Sequence, residues 1–178
     1  MKNLIALAAL AIVATPAAAF AADGNVDING SVAAVCKFNA PTSATITLNE
    51  MADGDGFLNA AVGNGKTATL TGWCNGVHST MAVTATELTG SVSAGGASGF
   101  TSRVDYTATA ATHSASANAA VSASDTTTVA GAGTAANLGL FADTVTVTLS
   151  NLAPGAAGAR LVAGAYTGNV KVTLTPAL

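Results

Sequence analysis

Charge is what this sequence has least of. Lys, Arg, Asp and Glu together make up 8% of the 178 residues, whereas they supply about a quarter of an average globular protein. The formal net charge is −3 and no segment concentrates lysine or arginine, so the composition excludes the basic patch of a nucleic-acid-binding protein. A surface this poor in charge is covered with Thr, Ser, Ala, Asn and Gly, which suits an extracellular structural protein or one covered by its neighbours.

Long apolar runs are missing after the first 21 residues. Those residues start with Lys2, continue with an apolar stretch over residues 4–13 and end in Ala19-Phe20-Ala21, the pattern of a secretory signal peptide cut after Ala21. A membrane anchor is the alternative, and Pro16 and the Ala-rich end before Asp23 disfavour it. We therefore expect export of about 157 residues, which are enough for one domain with its own core.

Cysteine is also scarce, since Cys36 and Cys74 are the two that the chain contains. In an exported protein an even count favours a disulfide over two free thiols. A closed loop of this length would stabilise the fold by up to about 4 kcal/mol. A metal site is disfavoured because no Cys or His stands at a ligand-like spacing from either.

Catalytic patterns are poorly represented. His78 and His113 are each followed by Ser, but neighbours in sequence do not form a catalytic arrangement. The sequence has no Gly-x-Ser-x-Gly, no His-Glu-x-x-His and no phosphate-binding glycine loop. Asp53-Gly54-Asp55-Gly56 starts like a calcium loop but lacks the later acidic ligand, which predicts a solvated turn. We expect a non-enzyme without cofactor, metal or small-molecule substrate.

Alternating apolar residues dominate what the sequence does contain. Thr- and Val-rich segments separated by Asn-Gly, Asp-Gly, Gly-Gly and Pro-Gly turns predict an all-β fold, either a sandwich or a barrel. The low-complexity stretch 108–136 predicts a thin strand pair with long loops. The predicted strands are Val26–Cys36, Thr42–Leu48, Thr67–Trp73, Thr80–Thr86, Thr101–Ala110, Val121–Val129, Thr144–Leu149 and Tyr166–Thr175.

Two segments near the ends of the expected mature chain have clear strand patterns. In the C-terminal one, Tyr166, Val170, Val172 and Leu174 share a face. In the N-terminal one, Val26, Ile28 and Val32 do. Chain ends usually fray, so a patterned strand at each end indicates that one of them binds another molecule.

Four segments follow one another in a recognisable order along the expected mature chain. Gly24-Asn25-Val26-Asp27-Ile28 precedes the first cysteine, and Thr71-Gly72-Trp73-Cys74-Asn75-Gly76 contains the second. Val104-Asp105-Tyr106 follows, and the run from Ala163 to Leu174 completes the order. Over nearly the whole mature chain this order resembles the spore coat protein U / archaic chaperone–usher pilin family, and its most specific element is Gly-x-Tyr followed by alternating β-branched residues.

The resemblance implies an incomplete immunoglobulin-like β-sandwich, residues 34–178, that a donated strand completes. Residues 22–33 would be the donor segment, with Val26, Ile28 and Val32 inserted into the next subunit. Tyr166, Val170, Val172 and Leu174 would line the acceptor groove, which a periplasmic chaperone covers before assembly. The implied partners are identical or related subunits, the chaperone and an outer-membrane usher, in a fibre on the surface of a Gram-negative bacterium that supports adhesion or biofilm formation. The alternative is a monomeric secreted β-sandwich that binds a carbohydrate or surface ligand.

Overall fold

The computed structural model describes residues 23–178, and the expected signal peptide lies outside the described residues. The described residues form an all-β structure, as expected, with a single 3-10 turn at Ala60–Val62. No helix among them is long and apolar enough to cross a membrane. The strands are β1 (Cys36–Phe38), β2 (Thr67–Cys74), β3 (Thr80–Gly90), β4 (Phe100–Thr101), β5 (Arg103–Ser114), β6 (Ala119–Thr126), β7 (Ala136–Asn137), β8 (Phe141–Pro154), β9 (Arg160–Leu161) and β10 (Tyr166–Thr175).

Two of the predicted strands are wrong. Val26–Cys36 and Thr42–Leu48 have the alternation of strands, yet residues 23–35 and 39–51 belong to no strand. A strand exists through its hydrogen bonds to a neighbour. Apart from the end of the first segment, where Val35 bonds to Asn75 and Cys36 pairs with Cys74, neither segment finds such a neighbour among the described residues. Alternation therefore identified segments suited to pairing but could not supply the partner.

The sheet is antiparallel and nearly closed. Its strands follow the order β1-β2-β8-β5-β3-β10, with β6 attached to β5 and β7 to β3. The sheet curls into a barrel-like shape with an unsealed seam between its two ends, β1 and β10. A separate parallel pair joins β4 to β9. The described residues form a compact unit over Ala33–Leu178, distinct from residues 23–32.

The core lies inside the curl. Met81 and Val83 of β3, Val104 of β5, and Phe141 and Val145 of β8 are almost completely buried. Their alternation with Thr on the outer face is the pattern of a sheet with one solvated side. The low-complexity stretch forms the expected strand pair, because β5 pairs with β6 from Thr107–Thr126 to Ser114–Ala119.

The predicted disulfide is confirmed. Cys36 and Cys74 lie directly opposite each other in the β1–β2 ladder and are bonded. The Asn75 side chain continues the ladder, since its Oδ1 accepts from Val35 N at 2.6 Å and its Nδ2 donates to Ala33 O at 3.0 Å. A three-residue strand has few hydrogen bonds of its own, so these contacts strengthen the attachment of the start of β1 to the end of β2.

A buried carboxylate closes one gap in the sheet. β3 pairs with β5 at Leu88 and Thr89 only, and β6 takes the place of β3 beside the rest of β5. Asp125 of β6 crosses this gap: its Oδ2 accepts from Ala85 N at 2.7 Å and its Oδ1 from Thr126 N at 2.9 Å. The buried carboxylate thus accepts the hydrogen bond of a β3 N–H that has no carbonyl of a neighbouring strand opposite it.

Replacing Asp125 with Ala should lower the free energy of unfolding by about 1–3 kcal/mol, because the Ala85 N–H is left buried without an acceptor. Asp125→Asn keeps one acceptor oxygen and should lose less. Urea unfolding of the disulfide-intact protein measures both. Equal losses in the two variants would show that the hydrogen bond to β3 is not what Asp125 contributes.

Candidate functional site

β10 is an edge strand over its whole length. It pairs with β3 from Tyr166–Gly90 to Thr175–Thr80, and no other strand among residues 23–178 pairs with it. The bulge in this pair lies in β3. From Thr167 to Asn169 β10 advances by two residues, whereas β3 advances by three over the same distance. The alternation of β10 itself is therefore unbroken. An unpaired edge of this kind presents a row of free N–H and C=O groups.

The inner face of β10 is only half covered. Val172 lies opposite Val83 and Leu174 opposite Met81. The two β3 side chains are 0% exposed, whereas their β10 neighbours are half-buried. The same apolar layer is therefore covered at β3 and only partly covered at β10, the last strand of the sheet.

The opposite wall is the chain that follows β1. At its start Asn39 N donates to Thr71 O at 2.8 Å, and at its end Met51 O accepts from Asn59 N. Between these two points the described residues make no backbone–backbone hydrogen bond with this wall. Ile46 and Leu48 alternate with exposed residues and pack against the core. This wall thus combines apolar side chains with a second set of unpaired backbone groups.

An apolar groove of about 1090 Å³ lies between the two walls. Its floor is made by inward-facing residues of four strands. Glu50 and Lys171 are the charged residues among those that line it. The floor residues are Ala68, Leu70, Leu88, Tyr106, Val147 and Leu149.

Three of the four residues predicted for the acceptor groove line it: Tyr166, Val170 and Val172. Leu174 does not. Its side chain lies 3.5 Å from where a Cβ on Gly72 would stand, so this end of β10 approaches the β1–β2 end of the sheet and the seam narrows. The floor residues were missed at the sequence level, although the alternation of Ala68 and Leu70 within β2 was a usable signal.

No family model, curated protein or solved structure matches the chain.

Tyr106 anchors the floor to β10. Its hydroxyl lies 2.7 Å from Thr86 O and 3.2 Å from Asn169 O and donates to them, at the point where β3 bulges. The side chain is 3% exposed. Burial raises the pKa of Tyr106 to about 12, and the negative charges of Glu87 and Asp125 act in the same direction.

Tyr166 lines the groove at the start of β10. Its hydroxyl donates to Val162 O at 2.8 Å. Burial raises the pKa of Tyr166. Both tyrosine hydroxyls in the groove are thus engaged with backbone carbonyls of the same chain.

The predicted donor residues are strongly exposed. Val26, Ile28 and Val32 have 86%, 92% and 80% of their surface open to solvent. All three stand on alternate positions of a segment without helix or strand.

Val172→Asp should lower the free energy of unfolding by about 1–3 kcal/mol, because it places a carboxylate in the half-buried apolar layer beside Val83. Thr173→Asp adds the same charge to the outer face of β10 and should cost less than about 1 kcal/mol, the range of strand propensities. Urea unfolding compares them. Equal costs would contradict the inward orientation of Val172.

The stability of the protein should fall as the pH rises from about 10 to about 12. In this range Tyr106 loses its proton in the unfolded chain but keeps it in the fold, so ionisation favours unfolding; below pH 10 the effect is absent. Tyr106→Phe should show a shallower fall, because Tyr166 alone then contributes. Urea unfolding followed by Trp73 fluorescence tests this, and identical pH profiles would refute it.

Proposed function

We propose that this protein is a structural, non-catalytic subunit of a chaperone–usher surface fibre that polymerises by donor-strand exchange. The observation that carries the proposal is the half-covered inner face of β10 beside an unpaired backbone edge. On this reading the nearly closed sheet is an immunoglobulin-like sandwich that lacks one strand, and a strand from another molecule completes it.

The groove suits an extended peptide. Both walls offer free backbone groups for a new hydrogen-bond ladder, and the apolar floor offers sites for alternate side chains. Residues 23–32 of another copy match this need, since Val26, Ile28 and Val32 alternate with polar residues. Each could contribute about 1.5–3 kcal/mol if fully buried, before the cost of ordering the segment.

Such an interface joins unlike surfaces of successive copies. A contact of this type does not close on itself, so it produces a linear fibre rather than a dimer. Before assembly the same groove exposes apolar surface and strand edge, which favours aggregation. A periplasmic chaperone and an outer-membrane usher are the partners that this problem requires, and the assembled fibre would lie at the surface of a Gram-negative cell and support adhesion or biofilm formation.

A monomeric carbohydrate-binding protein is the competing function. Sugar recognition needs polar groups free to bond hydroxyls. The hydroxyls of Tyr106 and Tyr166 are engaged with backbone carbonyls, and the other polar residues of the lining, such as Glu50 and Lys171, belong to the walls and not to the floor. Continuous unpaired backbone along β10 is also of greater use to a peptide than to a sugar. The groove therefore favours strand addition.

The fibre recovered from producing cells should give a ladder of oligomers on a gel run without boiling. Val26→Asp should abolish the ladder, because a carboxylate would enter an apolar groove. Asn25→Asp adds the same charge to the opposite face of the segment and should leave the ladder largely intact. Electron microscopy of the same samples reports fibres directly.

A monomer band from the unmodified protein would refute the proposal. So would equal damage from Val26→Asp and Asn25→Asp, because the segment would then not be inserted with its alternate side chains inward.

A further inference from the structure

The inner face of β10 carries a pattern that the exposed N-terminal segment matches. Tyr166, Val170 and Val172 line the groove, Gly168 interrupts them, and Leu174 lies where the seam narrows. A Cβ on Gly168 would stand 2.9 Å from Glu87 O, so no side chain fits there. Residues 23–32 carry three apolar side chains and two glycines in the same alternating positions.

One antiparallel alignment brings the two patterns together. It pairs the ten residues 23–32 of one copy with the ten residues of β10 in another. Every apolar donor residue then faces an apolar groove residue: Val26 opposite Val172, Ile28 opposite Val170, and Val32 opposite Tyr166. Gly30 falls opposite Gly168, and Gly24 falls opposite Leu174, where the seam narrows.

The outer faces match in charge under the same alignment. Asp27 is the charged residue between Val26 and Ile28, and it falls opposite Lys171, the charged residue of β10. Directly opposed residues of antiparallel strands have Cβ atoms about 4.5–5.5 Å apart, and opposite charges there are favourable. Glu50 lies on the opposite wall of the groove. A donor strand turned so that Asp27 faced that wall would bring two negative charges together, which is unfavourable.

Other alignments lose one match or more. Shifting the donor so that Val26 faces Leu174 places it where β10 packs near Gly72, and it separates Asp27 from Lys171. Shifting it the other way sets Ile28 against Gly168. A parallel alignment that keeps the charge pair leaves Val32 opposite Pro176, beyond the end of β10.

We propose that residues 23–32 of a second copy of this chain pair antiparallel with β10 in the register that sets Asp27 against Lys171, with this charge pair selecting the register. The inference rests on the proposed strand exchange and specifies its geometry. Slipping by two residues breaks the charge pair and leaves an apolar donor side chain without an apolar neighbour.

Cysteine pairs placed on the outer face test the register while leaving Asp27 and Lys171 in place. Asn25→Cys with Thr173→Cys should crosslink successive subunits of the fibre under mild oxidation. Asp23→Cys with Thr173→Cys and Asn25→Cys with Thr175→Cys report the two slipped registers. A slipped register leaves one apolar side chain of the donor without burial. We therefore expect the yield of crosslinked subunits to be about tenfold higher for the first pair than for either control pair.

Charge reversal tests the role of the pair. Asp27→Lys and Lys171→Asp should each speed dissociation of the unboiled ladder by about twofold to tenfold, because like charges then lie opposite each other. The double variant restores opposite charges and should return close to the original rate. No rescue would overturn the selecting role of this pair.

The outcomes separate the register from the proposed function. A ladder that crosslinks through a control pair, or through none of the three, overturns the register while strand exchange stands. Crosslinks confined to single chains would show that the segment folds back into its own groove and would overturn both. Absence of any ladder in the unmodified protein overturns both as well.

Discussion

The unpaired edge of β10 is the constraint on which the rest of this structure depends. A strand with an apolar inner face normally has partners on both sides or a cover at its edge. β10 has β3 on one side and an open groove on the other. The half-burial of Val170, Val172 and Tyr166, the apolar floor and the free backbone of both walls all follow from that one absence.

The sheet has two gaps, and the chain treats them differently. Between β3 and β6 the gap is closed by Asp125, whose carboxylate accepts from Ala85 N, and by Gly133 N, which donates to Val83 O. At the seam no comparable side chain crosses between the walls in the described residues. The gap beside β3 is thus bridged by buried hydrogen bonds, whereas the seam beside β10 is open.

Cross-links at several points frame the seam. The Cys36–Cys74 disulfide and the Asn75 side chain fasten β1, which directly precedes the wall of residues 39–51. At the start of that wall Asn39 N donates to Thr71 O. Tyr106 ties the floor to β10 at Asn169. Both sides of the groove are therefore tied to the strands that form its floor.

The sequence by itself determined the all-β class, the disulfide, the strand pair in the low-complexity stretch and the bounds of β10, because alternation and cysteine pairing are local or nearly local signals. It did not determine which alternating segments would find partners: Thr42–Leu48 has the pattern of a strand but lies unpaired as a wall. The tertiary structure alone decided that Tyr106, Leu88 and Val147 share a floor and that Leu174 lies outside the groove. Pairing and burial depend on which distant strands meet, and periodicity within one segment carries no information about that.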